Sequence, residues 1–303
     1  MKKTLLSIVC CLVTFTGFSQ EKKEIPKGPW TKVTKLSLLF NQAAFNNQWQ
    51  SGGTSNYAAN FGLTHDANYS KDKLTWDNRI VIDYGIANQK DQEFTRKTND
   101  RFELSSLVGK QIKETPWYYS FFLNVRTQLT NGYDFGENEE GNTIRSETTK
   151  ILSPGYFQAG LGMLWKKNDN LKLNIAPATA RLILVNSQFT SVGQSQSAID
   201  AFNQIGYFGV KANETSRFEF GAAIGGYGKF TLLKNVVMEN VLNLYSNYIE
   251  DPQNIDIDYT MNLVMSVNKW ITANVTFQAM YDDNAVKGFQ IREALGIGVT
   301  YGF

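Results

Sequence analysis

Cysteine and histidine are nearly missing from this 303-residue sequence: Cys10 and Cys11 are the only cysteines, and His65 is the only histidine. So few ligands give no basis for a zinc cluster, a CxxC redox pair or a mechanism that uses two histidines. Long apolar runs are missing too. Past the first twenty residues no stretch approaches the ~18 consecutive apolar residues of a membrane helix, so a helical membrane bundle is excluded. Nor is there an excess of one charge. Lys plus Arg number 30 and Asp plus Glu 28, a net charge of +2, whereas a nucleic-acid partner would leave a basic excess or stripe. What remains is a chain rich in aromatics, at 13%, with 24 glycines scattered through polar sequence.

The N-terminus reads as an export signal. Lys2 and Lys3 precede an apolar stretch over 5–15, and Gly17-Phe18-Ser19 supplies small residues for cleavage ahead of Glu21-Lys22-Lys23-Glu24. The apolar run is too short to span a bilayer, which marks a secretory signal peptide over 1–19. A lipoprotein signal would need a small residue before the modified cysteine, where Val9 or Cys10 stands instead. Cleavage near Ser19 removes both cysteines. Residues 20–34 are then expected as a short periplasmic segment and 35–303 as the folded domain.

Beyond that point the chain alternates with a period of two, the signature of strands with one apolar face. In 56–70 the odd positions read Tyr57, Ala59, Phe61, Leu63, His65, Ala67, Tyr69 against Asn60, Thr64, Asp66 and Asn68. The same alternation recurs in 74–87, 117–129 and 255–268. It recurs more weakly in 101–112, 151–166, 171–185, 217–230, 236–248, 271–282 and 291–303, and least regularly in 35–45. That gives twelve strands. Connections alternate in length: short at 71–73, 113–116, 167–170, 231–235 and 268–270, longer at 46–55, 88–98, 130–150, 186–214, 249–254 and 283–290. An even number of long strands with short turns on one side predicts an all-β fold, a transmembrane antiparallel up-and-down β-barrel of about twelve strands. A soluble sandwich would have shorter strands and no such bias. Residues 195–205 are expected as a short helix in the longest link.

Aromatics gather at both ends of the apolar parity. Tyr69, Trp76, Trp117, Trp165, Tyr301 and Phe303 lie near the short turns, and Tyr57, Tyr84, Tyr259 and Tyr281 near the long links. Two such belts match the two interfaces of a membrane. Phe303, closing the last strand on the lipid parity, resembles the signal by which barrel-assembly machinery recognises its clients. The expected location is the outer membrane of a Gram-negative bacterium, with outer-membrane lipid and the assembly machinery as partners.

Several short motifs carry a resemblance. Trp49-Gln50-Ser51-Gly52-Gly53, Trp76-Asp77-Asn78, Tyr84-Gly85, Lys97-Thr98-Asn99-Asp100, Arg126-Thr127-Gln128, Pro154-Gly155-Tyr156, Lys234-Asn235-Val236, Ser246-Asn247-Tyr248, Tyr281-Asp282-Asp283 and Gly296-x-Gly298 resemble landmarks of a Bacteroidota envelope family known only as domain of unknown function 3078. Gln48 stands where Asn is expected before the tryptophan. The resemblance implies an outer-membrane barrel and carries over no activity and no catalytic residue.

With the apolar parity toward lipid, Asp66, Asp77, Arg79, Asp83, Arg101, Glu103, Arg126, Glu219, Glu239, Asp256, Asp258 and Arg292 face the lumen. Hairpin pairing sets Asp66 opposite Arg79, Glu103 near Arg126 and Arg101 near Gln128. At the outer rim it sets Asp256 opposite Asp282, with Asp258 one step inward and Asp283 adjoining, an acidic group of the kind Ca²⁺ prefers though equally at home as a solvated rim. His65 has the lipid parity. A lipid-face hydrolase would need a hydroxyl beside it, and its neighbours Leu63, Ala67, Ile80 and Ile82 offer none. The glycine-rich run Gly221-Ala222-Ala223-Ile224-Gly225-Gly226 lacks the helix and Lys-Ser/Thr of a phosphate loop and reads as strand curvature. No cofactor is implied. The function expected is a narrow, porin-like channel or transport-related barrel, with a structural or assembly component of a larger envelope complex as the alternative and an enzyme a distant third.

Overall fold

The computed structural model of the protein describes residues 28–45, 54–90 and 92–302. The signal segment, most of the 20–34 segment, the Trp49 motif and Phe303 lie outside the described residues. The strands are β1 (Trp30–Ala43), β2 (Asn56–Lys71), β3 (Leu74–Gln89), β4 (Arg96–Gln111), β5 (Trp117–Thr127), β6 (Gly132–Glu137), β7 (Thr143–Thr149), β8 (Gly155–Asn168), β9 (Leu171–Leu184), β10 (Ser216–Leu233), β11 (Val236–Asn247), β12 (Ile255–Ser266), β13 (Ile271–Asp282) and β14 (Val286–Gly302). Twelve of them close into one antiparallel barrel in chain order, β5 pairing with β8 and β14 returning to β1. Among the described residues no helix is long and apolar enough to cross a membrane.

The period-two pattern sorts side chains as expected. Leu38, Phe40, Tyr119, Phe121, Leu161, Phe218, Leu295 and Ile297 stand exposed on the outer wall, while Asp77, Glu103, Glu219 and Glu239 are buried inside it. A water-soluble barrel would reverse this arrangement. Trp30, Tyr69 and Trp76 meet as neighbouring rings at the short-turn end, with centroids 5.2 and 5.6 Å from Trp30. Trp270 stacks on Tyr301 at that same end.

Local chemistry explains the departures. β1 starts at Trp30 and takes the last residues of the segment expected to precede the barrel. The strand expected over 151–166 starts only at Gly155, because Leu152 adopts a left-handed φ of 55° and Pro154 has no N–H to give a ladder. β14 begins five residues earlier than expected, reducing the last long link to 283–285. The link 130–150 contains a hairpin, β6–β7, standing outside the barrel. Its turn uses Gly141 at φ 78° and the Asn138 side chain, which accepts from the backbone N–H groups of Glu140 and Asn142. The short helix is α1 (Gln196–Asn203), after Ser195. Glycine-rich β10 slips register against β9 between Gly221 and Ala223, the curvature its sequence suggests.

The closing seam is short. β1 and β14 pair through Lys35–Phe40 and Ile297–Gly302, six rungs, against fourteen between β1 and β2 and sixteen between β2 and β3.

Candidate functional site

The inward charges meet across the lumen. Nearest the short turns, Asp77 on β3 accepts from Lys166 of β8 at 2.9 Å and from Lys172 of β9 at 2.8 Å. One level up, Arg79 on β3 pairs with Glu239 on β11 and lies 3.8 Å from Asp66, its partner across the β2–β3 hairpin. The Tyr227 ring lies 5.4 Å from its guanidinium. β3 and β11 are six places apart whichever way the ring is followed. A contact between them crosses the full lumen.

The third level repeats the device. Arg126 on β5 reaches Asp258 on β12 at 2.6 Å, and Arg101 on β4 contacts the same carboxylate at 3.5 Å while pairing with Glu103. β4 and β12 are again six places apart. Asn124 donates to Glu103 at 2.8 Å, and Gln278 to Asp258 at 3.1 Å. At the rim, Arg181 pairs with Asp256 at 2.6 Å and lies 3.3 Å from Glu219. Glu219 also takes Arg217 at 2.9 Å. Every residue in these levels sits on a strand, so its position is fixed by register rather than by loops.

Most of the expected inward residues are therefore brought together. Glu103 does lie opposite Arg126 in register, but Arg101 is not beside Gln128. β5 ends at Thr127, and the Gln128 amide turns to the carbonyls of Lys150 and Ser153. Asp83 and Arg292 keep the inward parity yet make no salt bridge among the described residues; Arg292 Nε is buried without a hydrogen-bond partner.

The acidic rim is only partly as expected. Asp256, Asp282 and Asp283 bring carboxylate oxygens within 4.8 Å of one another, but Asp258 is buried a level below with Arg126. Each remaining carboxylate already has a donor: Arg181 for Asp256, the Asn284 backbone for Asp282 and the Asn254 amide for Asp283. Arg181 supplies the positive charge that a cation would otherwise bring.

At the long-link end, Val210, Tyr207 and Phe208 pack with Ile183, Val185 and Tyr156. Tyr207 stacks on Phe189 with centroids 5.0 Å apart, and its hydroxyl donates to the Thr148 carbonyl at 2.6 Å. Burial pushes its phenol above the usual range. Arg145 of β7 lies over the rings of Tyr133 and Phe94.

On the outer wall, the structure gives His65 a hydroxyl that the sequence reading missed. Thr34 Oγ1 lies 2.8 Å from His65 Nδ1, and the two are register partners on β1 and β2. Pairing across the β1–β2 link would have found it. That strand was the least regular of the twelve, and its register was set by a long connection.

No curated protein matches the chain. Among solved structures it resembles the translocator domain of autotransporter NalP from Neisseria meningitidis (9% identity, 100% of this chain and 98% of that one, TM-score 0.40). It also resembles an outer membrane channel from Pseudomonas putida F1 (10%, 94% and 98%, TM-score 0.37) and the β domain of the Bordetella autotransporter Brka (8%, 90% and 99%, TM-score 0.31). Residues 40–133 match the model of a family described as Protein of unknown function (DUF3078).

Proposed function

We propose that this protein is an integral outer-membrane β-barrel whose lumen is held shut by its own side chains, and that it serves as a membrane-embedded component of the envelope rather than as an open diffusion pore. The contacts of Arg79 with Glu239 and of Arg101 with Asp258 carry this reading, since each ties together walls six strands apart. The membrane location is supported by the apolar outer wall and its terminal aromatics. Strand number alone left the bore open, because ~8 strands are filled by side chains while 16–18 leave a channel. The narrow channel that twelve strands allow would require the pairs at three successive levels to part. An assembly or structural role requires no such opening. Export by the N-terminal signal and insertion through the C-terminal strand belong to the same proposal.

The test is conductance. Purified protein in planar bilayers should give no steady current at neutral pH, and proteoliposomes should stay tight to small sugars. Stable single-channel steps from the parent protein would refute the closed reading.

A further inference from the structure

Several polar side chains of the outer wall are neighbours on β1 to β4. Across β1 to β4, one register row reads Lys32, Ala67, Asn78, Ser106. The row above reads Thr34, His65, Ile80, Leu104, and the row below reads Trp30, Tyr69, Trp76, Val108. Neighbouring strands lie ~4.8 Å apart and alternate residues share a face, so these rows form one continuous outward patch. Ala67 is the small residue at its centre and leaves a notch between Lys32 and Asn78.

The groups around the notch are held in place. Trp76 Nε1 donates to Ser106 Oγ at 2.8 Å, and that hydroxyl donates to Asn78 Oδ1 at 2.8 Å. Asn78 Nδ2 spends one hydrogen on the Ala67 carbonyl at 3.2 Å and keeps the other. When the Thr34 hydroxyl donates to His65 Nδ1, the ring proton is left on Nε2. Lys32 is exposed and makes no salt bridge among the described residues. Trp30, Tyr69 and Trp76 mark this as the interfacial depth of the wall.

We infer that this notch binds the phosphate of an anionic phospholipid headgroup, with Lys32 as its counter-charge and His65 and Asn78 as hydrogen-bond donors. The assignment rests on the membrane-spanning reading. A lipid is the occupant the surroundings fit. Directly above the polar rows the same face continues as Leu36, Leu63 and Ile82, an apolar track on which acyl chains lie, and the aromatic plate borders the notch at headgroup depth.

The experiment is native mass spectrometry of the full chain in a neutral detergent, with phosphatidylglycerol, diacylglycerol and inorganic phosphate as separate probes. The parent should retain phosphatidylglycerol and not diacylglycerol. Lys32→Gln should lower retention about fivefold, the usual worth of one lysine at an anionic lipid surface. Ala67→Leu, which fills the notch while keeping every charge, should lower it at least as much. Ala59→Leu, on the same face of β2 but toward the other end, should leave it unchanged. Heat-dependent gel mobility reports that each variant is a folded barrel. Equal retention by parent, Lys32→Gln and Ala67→Leu overturns the site. Displacement of the lipid by millimolar inorganic phosphate overturns the lipid assignment in favour of a free anion. A chain that stays monodisperse without detergent would instead strike at the membrane reading beneath it.

Discussion

Replacing Glu239 by Gln keeps the side chain's size and removes the charge that faces Arg79 across the lumen. The guanidinium would then retain Asp66 at 3.8 Å and the Tyr227 ring at 5.4 Å. The two paired side chains are 25% and 11% exposed, so the contact lies between a dry pair and a solvated one. Breaking a buried pair costs ~3–5 kcal/mol and an exposed one ~0.2–1 kcal/mol. Partial exposure and the surviving Asp66 contact put Glu239→Gln at ~2 kcal/mol, and Arg79→Met at a similar figure. The double variant, Arg79→Met with Glu239→Gln, leaves no unpaired charge at this contact and should cost only ~1–2 kcal/mol. The coupling energy is then ~2–3 kcal/mol. Reversible urea titration in lipid vesicles measures all four proteins. Strictly additive costs, with coupling within ~0.5 kcal/mol of zero, would mean that the two walls do not hold each other and that the closed-lumen reasoning fails.

Leu123→Arg, on the outer wall of β5, should destabilise the barrel by ~2–4 kcal/mol in the same titration; a loss below ~1 kcal/mol would argue against lipid on that face. Gly298→Val should weaken the closing seam, because a Cβ at Gly298 would fall 1.9 Å from the Leu38 carbonyl oxygen and the strands would have to part. Overpacking of this kind costs ~1–3 kcal/mol, and unchanged unfolding would refute the tight approach. Tyr207 gives a pH dependence. Its folded phenol titrates above the ordinary ~10, so its contribution is present at neutral pH and is lost as pH rises through the raised folded value. Proteolysis within 187–215 should accelerate at strongly alkaline pH in the parent. Tyr207→Phe, which lacks the titrating group, should show no such rise.

The barrel was legible because each strand carries its own signal. Alternation along β2 or β3 reports which face is apolar without reference to any other part of the chain. Hairpin register follows from short turns, which is why Asp66 beside Arg79 and Glu103 beside Arg126 could be read directly. Contacts across the lumen follow from no local pattern: nothing near Glu239 in sequence names Arg79, 160 residues away. Whether twelve strands leave a bore depends on those contacts, so the sequence could locate the inward charges but not say that they meet. The hairpin β6–β7 escaped notice because its strands are six and seven residues long and rich in charge. Thr34 escaped because its partner His65 lies across a long connection.

The six-rung seam has a consequence for the order in which the barrel assembles. Each sequential hairpin joins residues close in the chain, whereas β1 and β14 join residues at its two ends, as Lys35 does with Gly302. Loop-closure entropy makes such distant pairing the slowest contact to form. Here it is also among the least rewarded, since so few backbone hydrogen bonds follow from it. The sheet should therefore exist first as an open, curled ribbon of hairpins, with closure as the last step and opening of this same seam as the first step of unfolding. Backbone amides of 297–302 should then exchange with solvent deuterium sooner than those of β3, although both belong to one continuous ring.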